Sequence, residues 1–243
     1  MMRAFTFAVA FLALAAATPR PSLAQDYAAV IAASDRSDAD RQTDKRRDPV
    51  KLLSFTSAKP GMTVLDMGAG GGYSTELMAR AVGLAGKVYA QDHDVAPRAK
   101  ERFEARMKTD AMKNVTALDR PFDDPLPEDV SNVDLITFFF FYHDTTYMQV
   151  DRAAMNKKLF AALKPGGLLI VADHSAKEGA GTTVGKTLHR IEQTTLEKEV
   201  LAAGFRLIAA GEFLRHPEDG REVKIFEMKT PVDEFVLKFQ KPN

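Results

Sequence analysis

Cysteine is absent from this chain of 243 residues, so no disulfide contributes to its stability, which must come from a buried apolar core. An excess of charge is absent too, because Lys plus Arg and Asp plus Glu each number 33. That balance gives no reason to expect a nucleic-acid partner and favours a small-molecule ligand. Repeats and low-complexity tracts are also missing, and a hydrophobic content of 45% is typical of a globular domain of generous size.

The first 24 residues have the pattern of a secretory signal peptide. Arg3 provides a basic start, residues 4–17 are apolar, and the small residues Ser22 and Ala24 stand at the −3 and −1 positions of a cleavage site. The apolar part is too short to span a bilayer comfortably, and a helix that is apolar all round has no amphipathic face with which to dock. We therefore expect export, to the periplasm, with cleavage after Ala24 and no stable membrane insertion of the mature chain. An uncleaved membrane anchor is the main alternative.

Residues 25–48 form a polar, charge-rich segment that precedes the folded domain. It is interpreted as a solvated stretch, either a flexible linker or a flap on the substrate side. Asp48 and Pro49 then supply a helix cap and a first helical residue, so the domain is predicted to cover residues 49–243.

Helix-like and strand-like segments alternate through the domain, which is typical of a parallel sheet with helices on both faces. A small, polar, glycine-rich stretch at 175–185 is predicted to be a loop and a candidate lid. The predicted helices are 50–56, 73–82, 96–109, 155–163 and one that ends at 203, and the predicted strands are 62–67, 86–91, 115–118, 133–142, 168–172, 205–210 and 233–240.

The most informative motif follows the first predicted strand and reads Asp66-Met-Gly68-Ala-Gly70-Gly-Gly72. Glycines let the backbone turn sharply and approach a ligand closely, and Asp66 is placed to hold a ligand's ammonium group directly or through a water. A dinucleotide fingerprint that began at Gly68 would need a glycine where Tyr73 stands, and no Gly-Lys-Ser or Gly-Lys-Thr of a P-loop follows. The motif therefore favours a nucleoside ligand of another kind.

A second acid, Asp92, ends the second predicted strand about 20 residues beyond the glycines, where a carboxylate can accept hydrogen bonds from both hydroxyls of a ribose. An ordinary acid at a strand end is the alternative interpretation. The glycine motif before it favours the binding role.

These motifs, taken in order, resemble the class I S-adenosylmethionine-dependent methyltransferase family over residue 50 to the C-terminus. Five features carry the resemblance: the glycine motif, Asp92, Val133-Asp134-Leu135, Leu163-Lys-Pro-Gly-Gly167 and Ala202-Ala-Gly204-Phe205. The signal peptide, Tyr142-His-Asp144 and His189-Arg-Ile191 also resemble a subgroup of exported methyltransferases whose substrates are unassigned.

The resemblance implies a Rossmann-like, doubly wound α/β sheet of seven strands with the last strand antiparallel. It also implies that S-adenosylmethionine lies over the ends of the first two strands. The family places an acid beside the adenine after its third strand, and this sequence offers Asp119 or Arg120 there; we favour Asp119, with Phe122 as the apolar cover of the ring. The implied cofactor-binding residues are Asp66, Gly68, Gly70, Gly72, Asp92 and Asp119.

The methyl group of a sulfonium is already electrophilic, so the protein mainly aligns the acceptor and needs a base only when the acceptor holds a proton. His143 follows a long apolar strand at the edge where ligands bind, and we predict it to be the substrate-side base or orienting group, with Asp144 beside it and His174 as a further catalytic candidate. A structural histidine is the alternative for each. No metal is predicted, because adjacent residues on an extended chain point apart and no ligand triplet has a clear spacing.

The predicted function is therefore methyl transfer from S-adenosylmethionine to an acceptor, expected to be a small molecule. An exported enzyme would have to meet a cofactor made in the cytoplasm, so a non-catalytic module that keeps the fold and binds a nucleoside stays open. A nicotinamide oxidoreductase is a third hypothesis, which Tyr73 disfavours.

Overall fold

Seven strands form one mixed sheet in the computed structural model, which describes residues 26–243. The strands are β1 (Thr63–Met67), β2 (Lys87–Asp92), β3 (Val115–Asp119), β4 (Val133–Phe139), β5 (Leu163–His174), β6 (Arg206–Gly211) and β7 (Glu234–Gln240). Their order is β3-β2-β1-β4-β5-β7-β6, and β7 runs antiparallel to both of its neighbours. The predicted fold class is confirmed. The predicted signal peptide and its cleavage site lie outside the described residues.

In the described part of the chain, eight helices flank the strands, together with short 3₁₀ turns at Asp110–Met112, Tyr142–Thr146 and Ile225–Glu227. The helices are α1 (Tyr27–Ala32), α2 (Asp38–Arg47), α3 (Pro49–Thr56), α4 (Tyr73–Val82), α5 (Pro97–Arg106), α6 (Arg152–Ala162), α7 (Gly185–Leu188) and α8 (Gln193–Ala202). Within residues 26–243, none of them is both long and apolar enough to cross a membrane.

The core lies on both faces of the sheet because successive residues of a strand point to opposite sides. On β1, Leu65 packs into the layer that contains Phe138 of β4, whereas Val64 packs into the opposite layer with Leu135. All four side chains are fully buried or nearly so. Two apolar layers therefore hold the C-terminal ends of β1 and β4 in fixed positions, and the candidate site is built on these ends.

The fourth strand is shorter than predicted. It ends at Phe139 instead of residue 142, because Phe140 adopts a left-handed conformation (φ 59°) that turns the chain out of the sheet. The chain then enters the 3₁₀ turn Tyr142–Thr146. His143 and Asp144 consequently lie on a turn and not on an extended strand, which changes where their side chains point.

The N-terminal segment also differs from the prediction. It is not a flexible, solvated linker, because it contains α1 and α2. Arg36, between these helices, and Asp40 of α2 are buried. Tyr27 donates a hydrogen bond to the Ala58 carbonyl (2.7 Å), which ties α1 to the end of α3. The high charge of this segment suggested a solvated stretch, but Arg36, Asp40 and Asp44 form ion pairs within the protein.

Candidate active site

The turn after β1 contains three glycines in left-handed conformations. Two of them are needed because neighbouring side chains leave no room for a Cβ atom, and the third is not crowded in this way. A Cβ on Gly68 (φ 65°) would lie 2.8 Å from the Phe141 ring, and one on Gly72 (φ 82°) would lie 2.9 Å from Arg106 Cδ. A Cβ on Gly70 (φ 54°) would meet nothing closer than 3.9 Å. Gly68 and Gly72 are therefore required by the protein's own packing, and Gly70 leaves open space on the ligand side of the turn.

Asp92 joins this turn to the end of β2. Its Oδ2 atom accepts a hydrogen bond from the Gly70 N–H (2.6 Å) and its Oδ1 atom accepts one from the His93 N–H (2.8 Å). Burial raises the pKa of Asp92, while these two backbone bonds oppose the rise. The carboxylate is thus fixed at the point where the glycine turn and the second strand meet.

A cavity of about 420 Å³ opens between the ends of β2 and β3, a volume within the range of small-ligand sites. Gly70, Asp92 and Asp119 line it together with the apolar side chains of Phe103 and Leu118. Asp119 is paired with Asp92 in the sheet register, and its exposed carboxylate lies 2.9 Å from His93 Nδ1. Three predicted cofactor residues therefore share one cavity.

Phe122, predicted as the cover of the adenine ring, does not line this cavity. Its ring is buried between those of Phe138 (centroids 6.2 Å apart) and Phe141 (5.1 Å), so it belongs to the core. The apolar wall is provided instead by Phe103 and Leu118. The prediction failed because β3 ends at Asp119 and the chain turns away before residue 122 reaches the cavity.

A second, larger cavity of about 840 Å³ continues on the other side of the glycine turn and shares Ala69 and Gly70 with the first. Tyr73, Phe140 and Phe141 form its aromatic wall, and α2 contributes further side chains, including those of Arg46 and Arg47. The two cavities form one elongated site centred on Gly70.

Asp66 lies beneath the turn with no exposed surface. Its carboxylate accepts hydrogen bonds from the hydroxyls of Thr137 (2.6 Å), Thr75 (2.7 Å) and Ser74 (3.0 Å). Burial raises its pKa and the three hydroxyl bonds act in the opposite direction. In this conformation Asp66 supports the turn and does not face either cavity, so its expected contact with a ligand's ammonium group stays a prediction.

Arg47, at the end of α2, is a site residue that the sequence argument missed. Its guanidinium carbon lies 4.3 Å from the centre of the Phe140 ring and 5.3 Å from that of Tyr73, and its Nε atom is buried without a hydrogen-bond partner among residues 26–243. Burial, and secondarily the like charge of Arg46, lowers its pKa to about 10, so the group is still a cation at neutral pH. No carboxylate within the described part of the chain pairs with it.

Buried ion pairs attach α2 to the glycine turn. Asp44 accepts two hydrogen bonds from Arg36 (2.7 and 2.8 Å) and one from the Tyr73 hydroxyl (2.7 Å). Arg106 binds Asp40 in the same bidentate way (2.8 and 2.9 Å) and donates from Nε to the Gly71 carbonyl (3.1 Å). The helix that carries Arg47 is thereby held over the second cavity.

His143 is only 2% exposed and lies in a network that sequence spacing did not reveal. Its Nδ1 atom is 2.7 Å from Asp173 Oδ1, and its backbone N–H donates to the other oxygen of Asp173 (2.8 Å). Its Nε2 atom lies 3.1 Å from Asp144 Oδ1 and 3.3 Å from Nδ1 of His189. Asp173 and His189 were not predicted as its partners, since they come from β5 and from the segment after α7.

The charges around His143 argue against the predicted general-base role in this conformation. Burial favours the neutral ring, but the carboxylates of Asp173 and Asp144 outweigh it and raise the pKa of His143 to about 10. The pKa of Asp144 is lowered despite its burial, mainly by His143. These carboxylates favour the protonated ring, which donates hydrogen bonds, so the general-base role of His143 stays a prediction.

His174, the third predicted catalytic residue, is buried at the end of β5 against the Phe140 ring (centroids 5.2 Å apart). Glu234 Oε1 lies 2.9 Å from its Nδ1, although this nitrogen makes no hydrogen bond of good geometry. Burial is the main cause of both pKa shifts, lowering that of His174 to about 3 and raising that of Glu234 to about 8. Burial thus favours the neutral form of both groups. His174 lines neither cavity, so a catalytic role for it has no support from its contacts.

The strand order, the glycine turn after β1 and the carboxylate at the end of β2 define a Rossmann-like fold with a nucleoside-type site. A family model described as a methyltransferase domain matches residues 58–223. The chain therefore belongs to the methyltransferase domain family. The family predicted from the sequence motifs is confirmed, and the protein is an enzyme of the S-adenosylmethionine-dependent methyltransferase class.

Solved structures share the fold at low sequence identity. A SAM-dependent methyltransferase from Aquifex aeolicus is 22% identical with a TM-score of 0.60, and the match covers 88% of this chain and 98% of that one. A methyltransferase from Mesorhizobium loti is 15% identical (TM-score 0.56; 78% and 95% covered). The cyclase SpnF is 17% identical (TM-score 0.60; 84% and 81% covered). These likenesses concern the fold, and one fold can host several reactions, so they do not identify the acceptor.

Proposed function

We propose that this methyltransferase binds S-adenosylmethionine along the two joined cavities and transfers its methyl group to a small-molecule acceptor. The observation that carries the proposal is the meeting of the two cavities at Gly70, where the missing side chain leaves room for a ligand to pass from one to the other. A methyl donor built of a nucleoside and an amino acid needs such a two-part site.

The residues of both cavities fit this cofactor. Asp92 is placed for the ribose hydroxyls, Asp119 for the adenine amine, and the apolar side chains of Leu118 and Phe103 for the ring faces. On the other side of Gly70, Arg47 offers the cation that the methionine carboxylate requires. The adenine, the ribose and the carboxylate of the cofactor therefore each have a matching group at the corresponding place.

When bound, the cofactor would supply an electrophilic methyl group on a sulfonium, and the protein's part is to align the acceptor and exclude water. Tyr73, Phe140 and Phe141 give the second cavity an aromatic wall, and α2 covers it. A large acceptor would have to displace a helix that is held by the buried carboxylates of Asp40 and Asp44. The cover that α2 provides favours a small acceptor over a macromolecule.

Calorimetric titration with S-adenosylmethionine and with S-adenosylhomocysteine tests the binding site. Gly70→Val should abolish binding, because the branched side chain would occupy the ligand's space at the junction of the cavities. Gly179→Val is the matched control, since Gly179 has a similar positive φ (78°), has open space around it and lines neither cavity. If Gly70→Val binds both ligands as tightly as Gly179→Val does, the cofactor does not bind at the position proposed.

Methyl transfer from labelled S-adenosylmethionine to fractionated small-molecule and macromolecular extracts tests the acceptor class. Label that appears only among small molecules supports the proposal, and label in protein or envelope fractions contradicts it. Tight binding without any transfer would favour the non-catalytic nucleoside-binding module. Binding of NADH in the same assay would revive the oxidoreductase hypothesis.

A further inference from the structure

We propose that His143, Asp144 and His189 form a binding site for one divalent first-row transition-metal ion, located beside the second cavity. Metal binding at this place does not depend on the proposed function. Its role, which is to hold a polar atom of the acceptor near the transferred methyl group, rests on that function.

The three potential ligand atoms already stand at the spacing of a metal site. His143 Nε2 and Asp144 Oδ1 are 3.1 Å apart, His189 Nδ1 and Asp144 Oδ1 are 3.1 Å apart, and the two imidazole nitrogens are 3.3 Å apart. An ion about 2.1 Å from each ligand would separate them by about 3.0 Å at octahedral angles and about 3.4 Å at tetrahedral angles. Two imidazoles and one carboxylate are ligands that zinc and ferrous iron both accept.

The fold uses unusual local structure to assemble this triplet. His143 and Asp144 are neighbours in sequence, and the 3₁₀ turn directs both side chains to one point, which an extended strand would not do. His189 adopts a left-handed conformation (φ 53°), which is rare for a residue with a Cβ and is a form of strain found at functional sites.

Close packing of α7 against the 3₁₀ turn brings His189 within reach. A Cβ on Gly185 would lie 2.1 Å from Thr146 Oγ1 and 2.9 Å from the His143 carbonyl, so only a glycine permits this approach. His189 then closes α7 four residues later, with its N–H bonded to the Gly185 carbonyl (3.0 Å).

The groups around the triplet are those that support metal ligands. Asp173 has no exposed surface and holds Nδ1 of His143, as the partner carboxylates of metal-bound histidines do. The ring is thereby oriented so that an ion can replace the proton on Nε2, which faces Asp144. The Tyr147 hydroxyl donates to Asp144, and the rings of Tyr147 and Phe226 pack against His189 with centroids 6.2 and 4.9 Å away.

The triplet also lies close to the cavity that would hold the reacting groups. Phe141 lines the second cavity beside Gly68, and His143 follows two residues later, at most about 7 Å along the chain. An ion with three protein ligands keeps open positions, which can orient a hydroxyl or amine for methyl transfer.

Titration with Co²⁺ tests the site, because its visible absorption reports nitrogen and oxygen ligands. The protein should carry no affinity tag, since a histidine tag binds the same ions, and it should first be stripped with a chelator. We expect one Co²⁺ per chain, displaced by Zn²⁺. His189→Asn, which tolerates the left-handed conformation, and Asp144→Asn should each weaken binding at least about 100-fold, and Asp173→Asn about 10- to 100-fold.

His216→Asn is the control, because His216 lies outside the triplet and its ring pairs with Glu218 instead. Equal Co²⁺ affinity of the wild type and His189→Asn, or no stoichiometric binding by the folded wild type, would overturn the proposal and leave a hydrogen-bonded network. Circular dichroism identifies a variant that fails to fold. If His189→Asn does not fold, the Co²⁺ affinity of Asp144→Asn is the test of the proposal. S-adenosylmethionine affinity, measured in parallel, should be unchanged in these variants, so the two proposals fail independently.

Discussion

At the scale of single residues, Arg47 is the active-site residue whose positive charge the protein compensates least. The Nε atom of Arg47 is buried without a hydrogen-bond partner, which costs free energy. No carboxylate forms an ion pair with Arg47 within residues 26–243, although Glu234 and Asp66 act on its charge from farther away. The rings of Tyr73 and Phe140 offset part of this cost through contact with the guanidinium. A ligand carboxylate in the second cavity would offset the rest.

Arg47→Leu should therefore weaken S-adenosylhomocysteine binding about 10- to 100-fold, the value of one hydrogen bond to a charged group. Binding of methylthioadenosine, which has the same nucleoside but no carboxylate, should be almost unchanged. Calorimetry with both ligands makes the comparison, and Lys45→Leu on the same helix is the control because Lys45 lines neither cavity. An equal loss for both ligands would mean that Arg47 acts through the fold and not through the carboxylate.

Glu234 is the residue whose ionisation should affect stability most clearly. Burial raises its pKa from 4.5 to about 8, so the folded protein holds a proton here that the unfolded chain releases at lower pH. The stabilising contribution is complete below about pH 4.5 and is lost as the pH rises towards 8. The free energy of unfolding should fall across this range.

Glu234→Gln replaces the protonated acid by an amide of the same shape and should remove this fall, which is at most about 4 kcal/mol. Urea denaturation of both proteins at pH 5.5 and pH 8.5 measures this fall in the free energy of unfolding. The contributions of other titrating groups, which both proteins share, cancel in the comparison. Glu227→Gln, at an exposed position, should keep the wild-type pH dependence. The same slope in wild type and Glu234→Gln would show that Glu234 is ionised in the folded protein.

At the scale of elements, α2 is part of the active site. It supplies Arg47 and covers the second cavity, and Arg36 on its N-terminal side has a side chain only 1% exposed that pairs with Asp44. Removing one partner of a buried pair leaves an uncompensated charge, which costs much more than losing an exposed pair.

Asp44→Asn should therefore loosen α1 and α2 while leaving the sheet intact. Hydrogen exchange followed by mass spectrometry should show at least about tenfold faster exchange in residues 26–47, with no change in β1 or β4. Asp35→Asn is the control, since the Asp35 carboxylate is 58% exposed in its pair with Arg80. Faster exchange throughout the protein would instead mean that α2 unfolds only together with the core.

The sequence allowed the elements to be predicted wherever the signal was local. The glycine turn and the acid that ends β2 follow from spacing along the chain, and Asp92 and Gly70 do meet. The contact of His143 with His189 joins residues 46 positions apart, and it depends on a turn at Phe140 and a close approach at Gly185 that no periodicity indicates. The buried charges of α2 were missed for the same reason.

At the scale of the whole molecule, the sheet order brings separate sequence segments to one edge. The C-terminal ends of β1, β2 and β3 carry the glycine turn, Asp92 and Asp119, and those of β4 and β5 lead to His143 and Asp173. The cofactor cavities and the triplet of His143, Asp144 and His189 are thus adjacent because β1 and β4 are neighbours. The cavities are completed by α2, which precedes the sheet in the chain, and by α5, which supplies Phe103.

The order of the chain also bears on export, which stays a prediction. The proposed cut after Ala24 comes one residue before Asp26, whose side chain caps α1 by accepting a hydrogen bond from the Ala29 N–H (3.0 Å). We expect the N-terminus of protein from the periplasmic fraction, determined by mass spectrometry, to be Gln25. Ala24→Arg should block cleavage, since the −1 position requires a small residue, whereas Ala28→Arg, on the exposed side of α1, should not. A soluble cytoplasmic form that still begins at Met1 would contradict export and would place the enzyme where S-adenosylmethionine is made.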